Sequence, residues 1–432
     1  MDVITKAGYE AYAVGGCIRD SILGRVPEDY DITTSAEPSE IKALFRRTVD
    51  TGIKHGTVTV MVGDTGYEIT TYRIDGKYED SRHPSSVTFT RSLKEDLLRR
   101  DFTINAMAYN DKDGLVDPFD GMKDIEKKLI RCVGDPKERF TEDALRIMRA
   151  VRFSAQLGYE IEPSTLDAMK ALSPNLDKIS AERIQIELVK LLCSDHPEKL
   201  RIAYETGITK VIMPEFDAIM ECEQNNPHHC YSVGEHTIKT IEYIRNDRVL
   251  RLAALFHDLG KPGCKTTDEE GIDHFHGHPD VSFELAINIL RRLKFDNNTI
   301  KSASALAKYH DYAVDPTKKG IRRAIHRIGE DLFPLVLEIK RADIAAQSDF
   351  KRDEKLKKLE LLDSLYKEVI EEKDCLSLKD LDITGRDLLN EGFEPGPDIS
   401  RILEGLLLRV LDDPSLNKKE TLIKLAYEQP TD

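Results

Sequence analysis

Two glycines and two aspartates near the start of the chain are residue types that phosphate chemistry uses. Gly15 and Gly16 stand between a predicted strand and a predicted helix, where backbone amides can approach phosphate oxygens because no side chain intervenes. Asp29 and Asp31 are two residues apart, so on a strand their carboxylates share one face. Two such carboxylates suit Mg²⁺, which prefers oxygen ligands. The combination predicts nucleotidyl transfer.

A second polar cluster follows about 70 residues later. Arg99, Arg100 and Asp101 precede Asn105, after which we expect a small apolar helix. An arginine fork matches phosphate oxygens and keeps its charge at neutral pH. Glu68, between two apolar residues of a predicted strand, is a candidate third carboxylate, although an exposed strand glutamate is the simpler explanation.

A predicted helix carries acidic and basic residues at helical spacing. Thr141 is the expected N-cap, Asp143 and Arg146 are neighbours three residues apart, and Arg149 and Arg152 follow. A solvated ladder of ion pairs is the more common explanation. The alternative is a base-reading pair, in which the carboxylate accepts from the amino group of cytosine or adenine and the guanidinium donates to the ring nitrogen. Uracil and guanine would leave polar groups unpaired there.

Histidines and aspartates recur in the second half of the chain. A lone histidine is usually structural, whereas an adjacent His-Asp pair that closes an apolar helix offers nitrogen and oxygen donors together. His274 and His276 are alternatives to His278 for one position in this set of residues. The order of these residues resembles the HD-superfamily phosphohydrolases, which implies a transition metal such as Ni, Mn, Fe or Zn. The implied ligands are His236, His257, Asp258, His278, His310 and Asp343.

Composition limits the class of protein. A chain of 432 residues exceeds one ordinary core, so several domains are expected. The net charge of −15 argues against a DNA-coating protein and predicts no DNA partner, while a local basic surface can still take RNA. The seven cysteines form no C-x-x-C pair. The N-terminus has no leader pattern and no long apolar run occurs, so we expect a cytoplasmic protein without membrane contact.

The succession of elements predicts an α+β fold, with a small mixed-sheet head followed by helical parts. Within the head we expect a strand over Thr57–Val62, a turn over Asp64–Gly66 and a mobile loop over Asp75–Pro84. A helix is expected over Asp143–Gln156. The expected domains are a catalytic head (1–135), a helical neck that selects the nucleotide (136–225), an HD-type metal-binding body (226–350) and a helical tail (351–432).

The motifs of the head and neck resemble the bacterial class II tRNA nucleotidyltransferases, the CCA-adding enzymes, which share a superfamily with poly(A) polymerases. The resemblance implies addition of CCA to the tRNA 3′ end from CTP and ATP, with Asp29 and Asp31 holding Mg²⁺. It also implies that Ala181–Leu188 braces the selecting helix and that the helical tail (351–432) binds tRNA. The nucleotide-binding residues that it implies, together with those predicted above, are Gly15, Gly16, Arg19, Arg100, Asp101, Asn105, Asp143, Arg146, Arg149 and Arg152.

Two alternatives stay open at this point. A poly(A) polymerase would tend to carry a Gly-Arg-Arg/Lys-Phe element after the first motif, where this chain reads Lys54–Val58 instead. The loop over Asp75–Pro84 favours a full CCA-adding enzyme over one that adds only C. Alternatively, the head only binds RNA, and the HD-type part is the working phosphohydrolase. The HD-type part could hydrolyse 2′,3′-cyclic phosphates or mainly bind tRNA.

Overall fold

A computed structural model describes residues 1–27, 29–76 and 86–428 of the chain. The fold is α+β, as the sequence predicts. The chain divides into two compact units, Met1–Pro214 (unit 1) and Glu215–Asp432 (unit 2). Most of the loop predicted over Asp75–Pro84 lies outside the described residues. Among the described residues, no helix is both long and apolar enough to cross a membrane.

A mixed sheet forms the first half of unit 1. The strands of the unit are β1 (Ala11–Val14), β2 (Asp31–Thr34), β3 (Thr48–Gly52), β4 (Thr57–Val62), β5 (Thr65–Thr71), β6 (Arg73–Asp75), β7 (Val87–Phe89), β8 (Ala108–Asn110), β9 (Gly114–Val116), β10 (Leu129–Ile130) and β11 (Glu160–Ile161). Seven of them form one sheet in the order β3-β4-β5-β2-β1-β8-β9, in which β2 and β5 are the parallel neighbours. β6 pairs with β7, and β10 pairs with β11.

The two faces of the sheet differ in polarity because side chains alternate along a strand. Val58 and Val60 on β4 and Ile69 on β5 are buried in an apolar cluster. The strand predicted over Thr57–Val62 is confirmed. The turn after it lies at Gly63 and Asp64, not over Asp64–Gly66, because Thr65 already pairs with Val62.

Eleven α-helices complete unit 1 among its described residues. They are α1 (Asp2–Lys6), α2 (Gly16–Ile22), α3 (Pro38–Leu44), α4 (Leu93–Leu98), α5 (Gly121–Glu126), α6 (Pro136–Glu142), α7 (Leu145–Leu157), α8 (Pro163–Leu172), α9 (Ala181–Leu192), α10 (Leu200–Glu205) and α11 (Ile208–Ile212). The apolar helix expected after Asn105 is wrong. A single 3₁₀ turn, Thr103–Asn105, leads directly into β8, which pairs with β1.

The helix predicted over Asp143–Gln156 is interrupted at its start. Thr141 is not an N-cap: it lies in the last turn of α6, where its hydroxyl donates to the carbonyl of Lys137. Asp143 is extended and ends α6. Its carboxylate accepts from the amide of Leu145, the first residue of α7, and so satisfies a donor that the new helix leaves unpaired.

Unit 2 is helical apart from one short strand pair among its described residues. Its elements are α12 (Pro214–Met220), whose first residue still belongs to unit 1, α13 (Val233–Tyr243), α14 (Arg248–Phe256), α15 (Lys261–Cys264), β12 (Thr266–Thr267), β13 (Asp273–His274), α16 (His278–Arg292), α17 (Asn297–Tyr309), α18 (Lys318–Ile328), α19 (Phe333–Ala346), α20 (Arg352–Glu371), α21 (Gly385–Asn390), α22 (Pro397–Asp412) and α23 (Lys419–Tyr427). α13, α14, α16, α17 and α19 pack on one another through buried aliphatic side chains.

Candidate functional site

A polar cavity of about 650 Å³ in unit 1 gathers most of the nucleotide-site residues predicted from the sequence. Asp31 begins β2, and Asp29 precedes the strand, so the expectation that both lie on one strand is wrong. Both nevertheless line the same cavity. The other predicted residues that line it are Gly15, Gly16, Arg19, Arg100, Asp101, Asn105, Arg149 and Arg152.

The paired aspartates lack full charge compensation. Loss of water around the Asp31 carboxyl raises its pKa, and the negative charge of Asp29 raises it further. Arg100 opposes this shift but does not cancel it. An additional cation beside the two carboxylates would relieve the repulsion, so their chemistry fits a divalent metal ion.

Gly15 allows Arg100 to approach the floor of the cavity. The backbone of Gly15 has a φ of 83°, which side-chain-bearing residues rarely adopt. A Cβ at this position would lie 3.0 Å from Nη1 of Arg100 and 4.0 Å from Oδ2 of Asp31. Nε of Arg100 is buried without a hydrogen-bond acceptor among the described residues, which fits a position for an anionic ligand.

Glu68 lies next to Asp31 in the sheet. The parallel register pairs Ile32 with Ile69, so one step back Asp31 stands beside Glu68 on the same face. The Glu68 side chain is exposed and is not among the residues that line the cavity. Its place in the register is nevertheless compatible with the predicted third carboxylate.

A chain of polar contacts links the elements around the cavity. Arg19 Nη1 donates to Asn105 Oδ1 over 2.8 Å, and Asn105 Nδ2 donates to Asp101 Oδ1 over 3.1 Å. The other oxygen of Asp101 accepts from Nε and Nη2 of Arg149. Burial alone would raise the pKa of Asp101, but Arg149 and Asn105 outweigh it and hold the pKa below its usual range.

The far side of the cavity is held by an ion pair between α7 and α9. Arg152 Nε lies 2.5 Å from Oε2 of Glu187, and both side chains are buried. Arg152 also stacks over Phe153, with its guanidinium carbon 3.8 Å from the ring centroid. This agrees with the expectation that Ala181–Leu188 braces the helix. Phe153 lines the cavity but was not a candidate, because an aromatic residue at helical spacing is typical of an apolar core.

The predicted base-reading residues have other partners in this structure. Oδ2 of Asp143 lies 2.7 Å from Nη2 of Arg183, and Arg146 pairs with Glu142 over 2.6 Å. Arg146 also donates to the carbonyl oxygens of Arg99 and Arg139. Neither Asp143 nor Arg146 is among the described residues that line the cavity.

A second candidate site lies in unit 2, where all six predicted metal-type residues come together. The Nε2 atoms of His236 and His257 are 3.4 Å apart, and those of His278 and His310 are 3.3 Å apart. Asp258 lies between the two histidine pairs, with its oxygens 3.2 to 3.7 Å from their Nε2 atoms. The residues form two groups that share one carboxylate, His236–His257–Asp258 and Asp258–His278–His310, and Asp343 lies 2.8 Å from His236.

The main chain fixes the direction of these four histidines. Nδ1 of each ring faces a backbone carbonyl, at 2.7 Å for His257 and His310, 2.8 Å for His278 and 3.3 Å for His236. A proton on Nδ1 satisfies the carbonyl and leaves the lone pair of Nε2 directed at Asp258. This arrangement is typical of histidines that bind a metal.

The donor set fits one or two transition metal ions. Both oxygens of Asp258 are buried without an aligned hydrogen-bond donor among the described residues, although Lys261 Nζ lies 2.8 Å from one of them. Imidazole nitrogens with a shared carboxylate suit such ions. His274 instead pairs with Asp268, and it is His278 that lies beside Asp258. His229, Gln347, Lys340 and Lys355 also line the cavities around this cluster and were not among the residues predicted for it.

Three protein families match successive parts of the chain. Residues 11–131 match the family described as "Poly A polymerase head domain". Residues 158–220 match "Probable RNA and SrmB- binding site of polymerase A". Residues 267–426 match "tRNA nucleotidyltransferase domain 2 putative".

Relatives match the chain over nearly its whole length. The CCA-adding enzyme of Levilactobacillus brevis is 38% identical over 98% of this chain and 95% of its own. That of Leuconostoc mesenteroides is 36% identical over 100% of this chain and 96% of its own. The crystal structure of the Bacillus stearothermophilus CCA-adding enzyme in complex with CTP superposes with a TM-score of 0.73 and 30% identity, covering 99% of this chain and 95% of the other. The chain therefore belongs to the family of CCA-adding enzymes, which are nucleotidyltransferases.

Proposed function

We propose that the cavity of unit 1 is where this chain carries out the reaction of its family, the addition of cytidine, cytidine and adenosine to the 3′ end of tRNA. The observation that carries the proposal is the meeting of Asp29, Asp31 and Arg100 in one polar cavity. CTP, the ligand of the Bacillus stearothermophilus relative, and ATP are the proposed nucleotides. The proposed reaction is in-line attack of the tRNA 3′-hydroxyl on the α-phosphate with pyrophosphate leaving.

Asp29 and Asp31 are the proposed ligands of the divalent metal that this family uses, which we take to be Mg²⁺. Bound there, Mg²⁺ would offset the charge of the triphosphate and activate the attacking hydroxyl. The raised pKa of Asp31 is compatible with this assignment: burial of the carboxyl is its main cause, and the negative charge of Asp29 adds to it. Glu68, beside Asp31 in the register, is the proposed third carboxylate.

The arginines are proposed to bind and orient the nucleotide. Arg100 presents its buried guanidinium to the cavity and is placed to take the triphosphate together with the backbone of Gly15 and Gly16. Arg19 and Asn105 are placed for the ribose. Arg149 and Arg152 support the site from α7, each held by a buried carboxylate. Most of these side chains are already held by partners, so they need little reorganisation when the nucleotide binds.

Asp143 and Arg146 are the proposed base-reading pair, although both are engaged elsewhere in this structure. The bond from Arg183 holds the Asp143 carboxylate at the start of α7. Reading of a base would require Arg146 to leave Glu142 and the carbonyl of Arg99. The proposal therefore includes a rearrangement at the junction of α6 and α7 when a nucleotide enters.

Incubation of a tRNA that lacks its CCA end with CTP, ATP, UTP and GTP, singly and combined, tests this function. We expect two C residues with CTP alone and a complete CCA end with CTP and ATP together. Sequencing of the products identifies the ends. An open-ended A tail would contradict the proposal in favour of a poly(A) polymerase.

The Asp31→Asn variant tests the assignment of the metal site. It preserves shape but removes the charge, and we expect incorporation to fall at least about 100-fold, as for loss of a group that stabilises the transition state. Asp50→Asn is the matched control, because Asp50 is an exposed carboxylate on β3 of the same sheet that pairs with Lys42. Equal incorporation by the two variants would refute the assignment.

A second function is proposed for the histidine and aspartate cluster of unit 2. His236, His257, Asp258, His278, His310 and Asp343 would hold one or two transition metal ions, which supply a metal-activated water for phosphoester hydrolysis. The observation in favour is the set of four Nε2 atoms that converge on one buried carboxylate. Nickel, manganese, iron and zinc are the candidate ions.

The domain organisation is likewise a proposal. We assign catalysis to residues 1–135, nucleotide selection to 136–225, metal binding to 226–350 and tRNA binding to 351–432. The division of the chain into compact units after Pro214 is compatible with a functional boundary near the end of the second segment.

A further inference from the structure

The metal-type cluster of unit 2 borders a cavity that three lysines also line. This cavity, of about 430 Å³, is lined by His310 and Asp343 of the cluster and by the carboxylate of Asp311. Lys340 from α19 and Lys355 and Lys358 from α20 also line it, and we call these three lysines the cationic wall. A volume of this size accommodates a small-molecule ligand.

Lys340 is unusual among these lysines. Its residue is only partly exposed, and its ammonium has no hydrogen bond and no ion pair within 4.0 Å among the described residues. Burial lowers the pKa of Lys340, while the more distant charges of Asp311 and Asp343 partly oppose this shift. A desolvated ammonium without a direct partner is costly unless an anion occupies the cavity.

Lys355 connects the cationic wall to the metal-type residues. Its ammonium donates to Oε1 of Gln347, and Nε2 of Gln347 donates to Oδ2 of Asp343 over 3.0 Å. An anion in this cavity would therefore lie near both lysine ammonium groups and the predicted metal ligands. Lysine serves as a point charge for phosphate oxygens.

Part of the remaining lining is apolar. Leu359 and Leu362 of α20, with Val314 and Ile344, form a surface next to the lysines. Such a surface can take the flat face of a nucleobase, whereas inorganic phosphate alone would leave it uncovered. Lysine charge and apolar area thus line the same cavity.

We propose that Lys340 and Lys355 form the anion-binding wall of the unit 2 site, which holds the phosphate of a nucleoside phosphate ester against the metal ions while its base packs on Leu359 and Leu362. This inference rests on the proposed metal centre. It adds a substrate orientation: the phosphate lies between α19 and the histidines, and the nucleoside extends along α20. The lysines are positioning residues, since their action on the ester is to place it.

Binding of a nucleoside 2′-monophosphate to the manganese-loaded full-length chain, measured by isothermal titration calorimetry, tests the proposal. All variants carry Asp31→Asn, so that unit 1 does not contribute its own metal site. We expect Lys340→Met to weaken binding at least tenfold with unchanged manganese content, and Lys340→Arg to restore part of the affinity. Lys357→Met, an exposed lysine of α20 outside the cavity, is the matched control and is expected to bind like the parent.

The outcomes separate this proposal from the metal centre itself. Equal affinity of Lys340→Met and the parent would overturn the cationic wall while leaving the metal centre intact. If the parent binds no manganese, the metal centre fails, and the same titration without metal still measures the contribution of Lys340. Leu362→Ala tests the orientation: it is expected to weaken binding of the nucleotide but not of inorganic phosphate, and equal losses for both ligands would contradict the placement of the base.

Discussion

Asp101 illustrates how one carboxylate can connect the two sides of the unit 1 cavity. One of its oxygens accepts from Asn105 and from its neighbouring backbone amide at Phe102, and the other accepts from Arg149 on α7. Asn105 in turn accepts from Arg19 on α2. The position of Arg149 therefore depends on a residue that need not touch the nucleotide.

Replacement of Asp101 by Asn is expected to reduce the free energy of unfolding by about 1–3 kcal/mol at pH 7, because an amide cannot balance the Arg149 charge. The pKa of the Asp101 carboxyl is lowered in the folded state. Its stabilisation is therefore complete above the unfolded pKa of about 4 and is lost as the pH falls toward the folded pKa. The difference is measured by urea unfolding of both proteins between pH 3 and 8. This range extends from about one unit below the unfolded pKa to several units above it.

Asp167→Asn serves as the control for this measurement, since Asp167 is exposed on α8. A surface change of this kind is expected to alter stability by no more than about 0.5 kcal/mol. A pH-independent difference between the parent and Asp101→Asn would contradict the electrostatic explanation.

At the scale of elements, α7 and α9 are joined by ion pairs at two levels. Arg152 binds Glu187 in the interior, and Asp143, at the start of α7, binds Arg183 on the first turn of α9. In the first pair the arginine comes from α7, and in the second it comes from α9. The two pairs together hold α7 in both position and rotation. This matters because Arg149, Arg152 and Phe153 reach the cavity from α7.

Glu187→Gln is expected to destabilise unit 1 by about 2–4 kcal/mol, since it leaves the Arg152 charge buried without a counterion. The Michaelis constant for CTP is expected to rise, because the freed guanidinium no longer holds its place over Phe153. Thermal unfolding and steady-state incorporation measure the two effects. Glu182→Gln, an exposed change on the first turn of α9, should affect neither, and an unaltered Michaelis constant in Glu187→Gln would refute the link to the nucleotide.

Particular elements show what the sequence could and could not predict. The strand at Thr57–Val62 was predictable because its alternation and β-branched residues are local signals. The grouping of His236, His257 and Asp258 was predictable because an adjacent His-Asp pair with further histidines is typical of metal sites. The break at Asp143 was not predictable from helical spacing, and the Asp143 side chain there binds Arg183, 40 residues away, a partner that local spacing does not indicate. Lys340 was missed because a lysine on a helix is usually solvated.

At the scale of the whole molecule, two chemically distinct sites occupy separate compact units. The acidic site of unit 1 offers oxygen ligands, and the cluster of unit 2 offers mainly imidazole nitrogen. Hard ions such as Mg²⁺ prefer the first donor set, and transition metals prefer the second. The two proposed metal sites therefore differ in the class of ion that they prefer.

His310→Ala is expected to abolish the tight binding of a transition metal without reducing CCA addition. Elemental analysis after purification should detect metal in the parent and in His326→Ala, an exposed histidine of α18, but not in His310→Ala. In differential scanning calorimetry, metal at about 100 times its Kd should add about 2.7 kcal/mol to the stability of the unit that binds it.

Removal of the metal with a chelator should cancel this gain in the parent and change nothing in His310→Ala. A parent without bound metal, or equal thermal stability with and without it, would contradict the metal assignment. Loss of CCA addition in His310→Ala would show that the two sites are not independent.

Gly260 has no side chain, and the close packing beside the unit 2 cluster requires this. Gly260 follows Asp258 by two residues, and its amide donates to the hydroxyl of Ser282 on α16 over 2.9 Å. A Cβ at this position would come within 2.4 Å of the carbonyl oxygen of His278 and 2.8 Å of the Ser282 amide. In a saturation mutagenesis screen scored by metal retention, Gly260 should consequently tolerate as few replacements as the ligands themselves, and an allele carrying alanine there would behave as a null for that site.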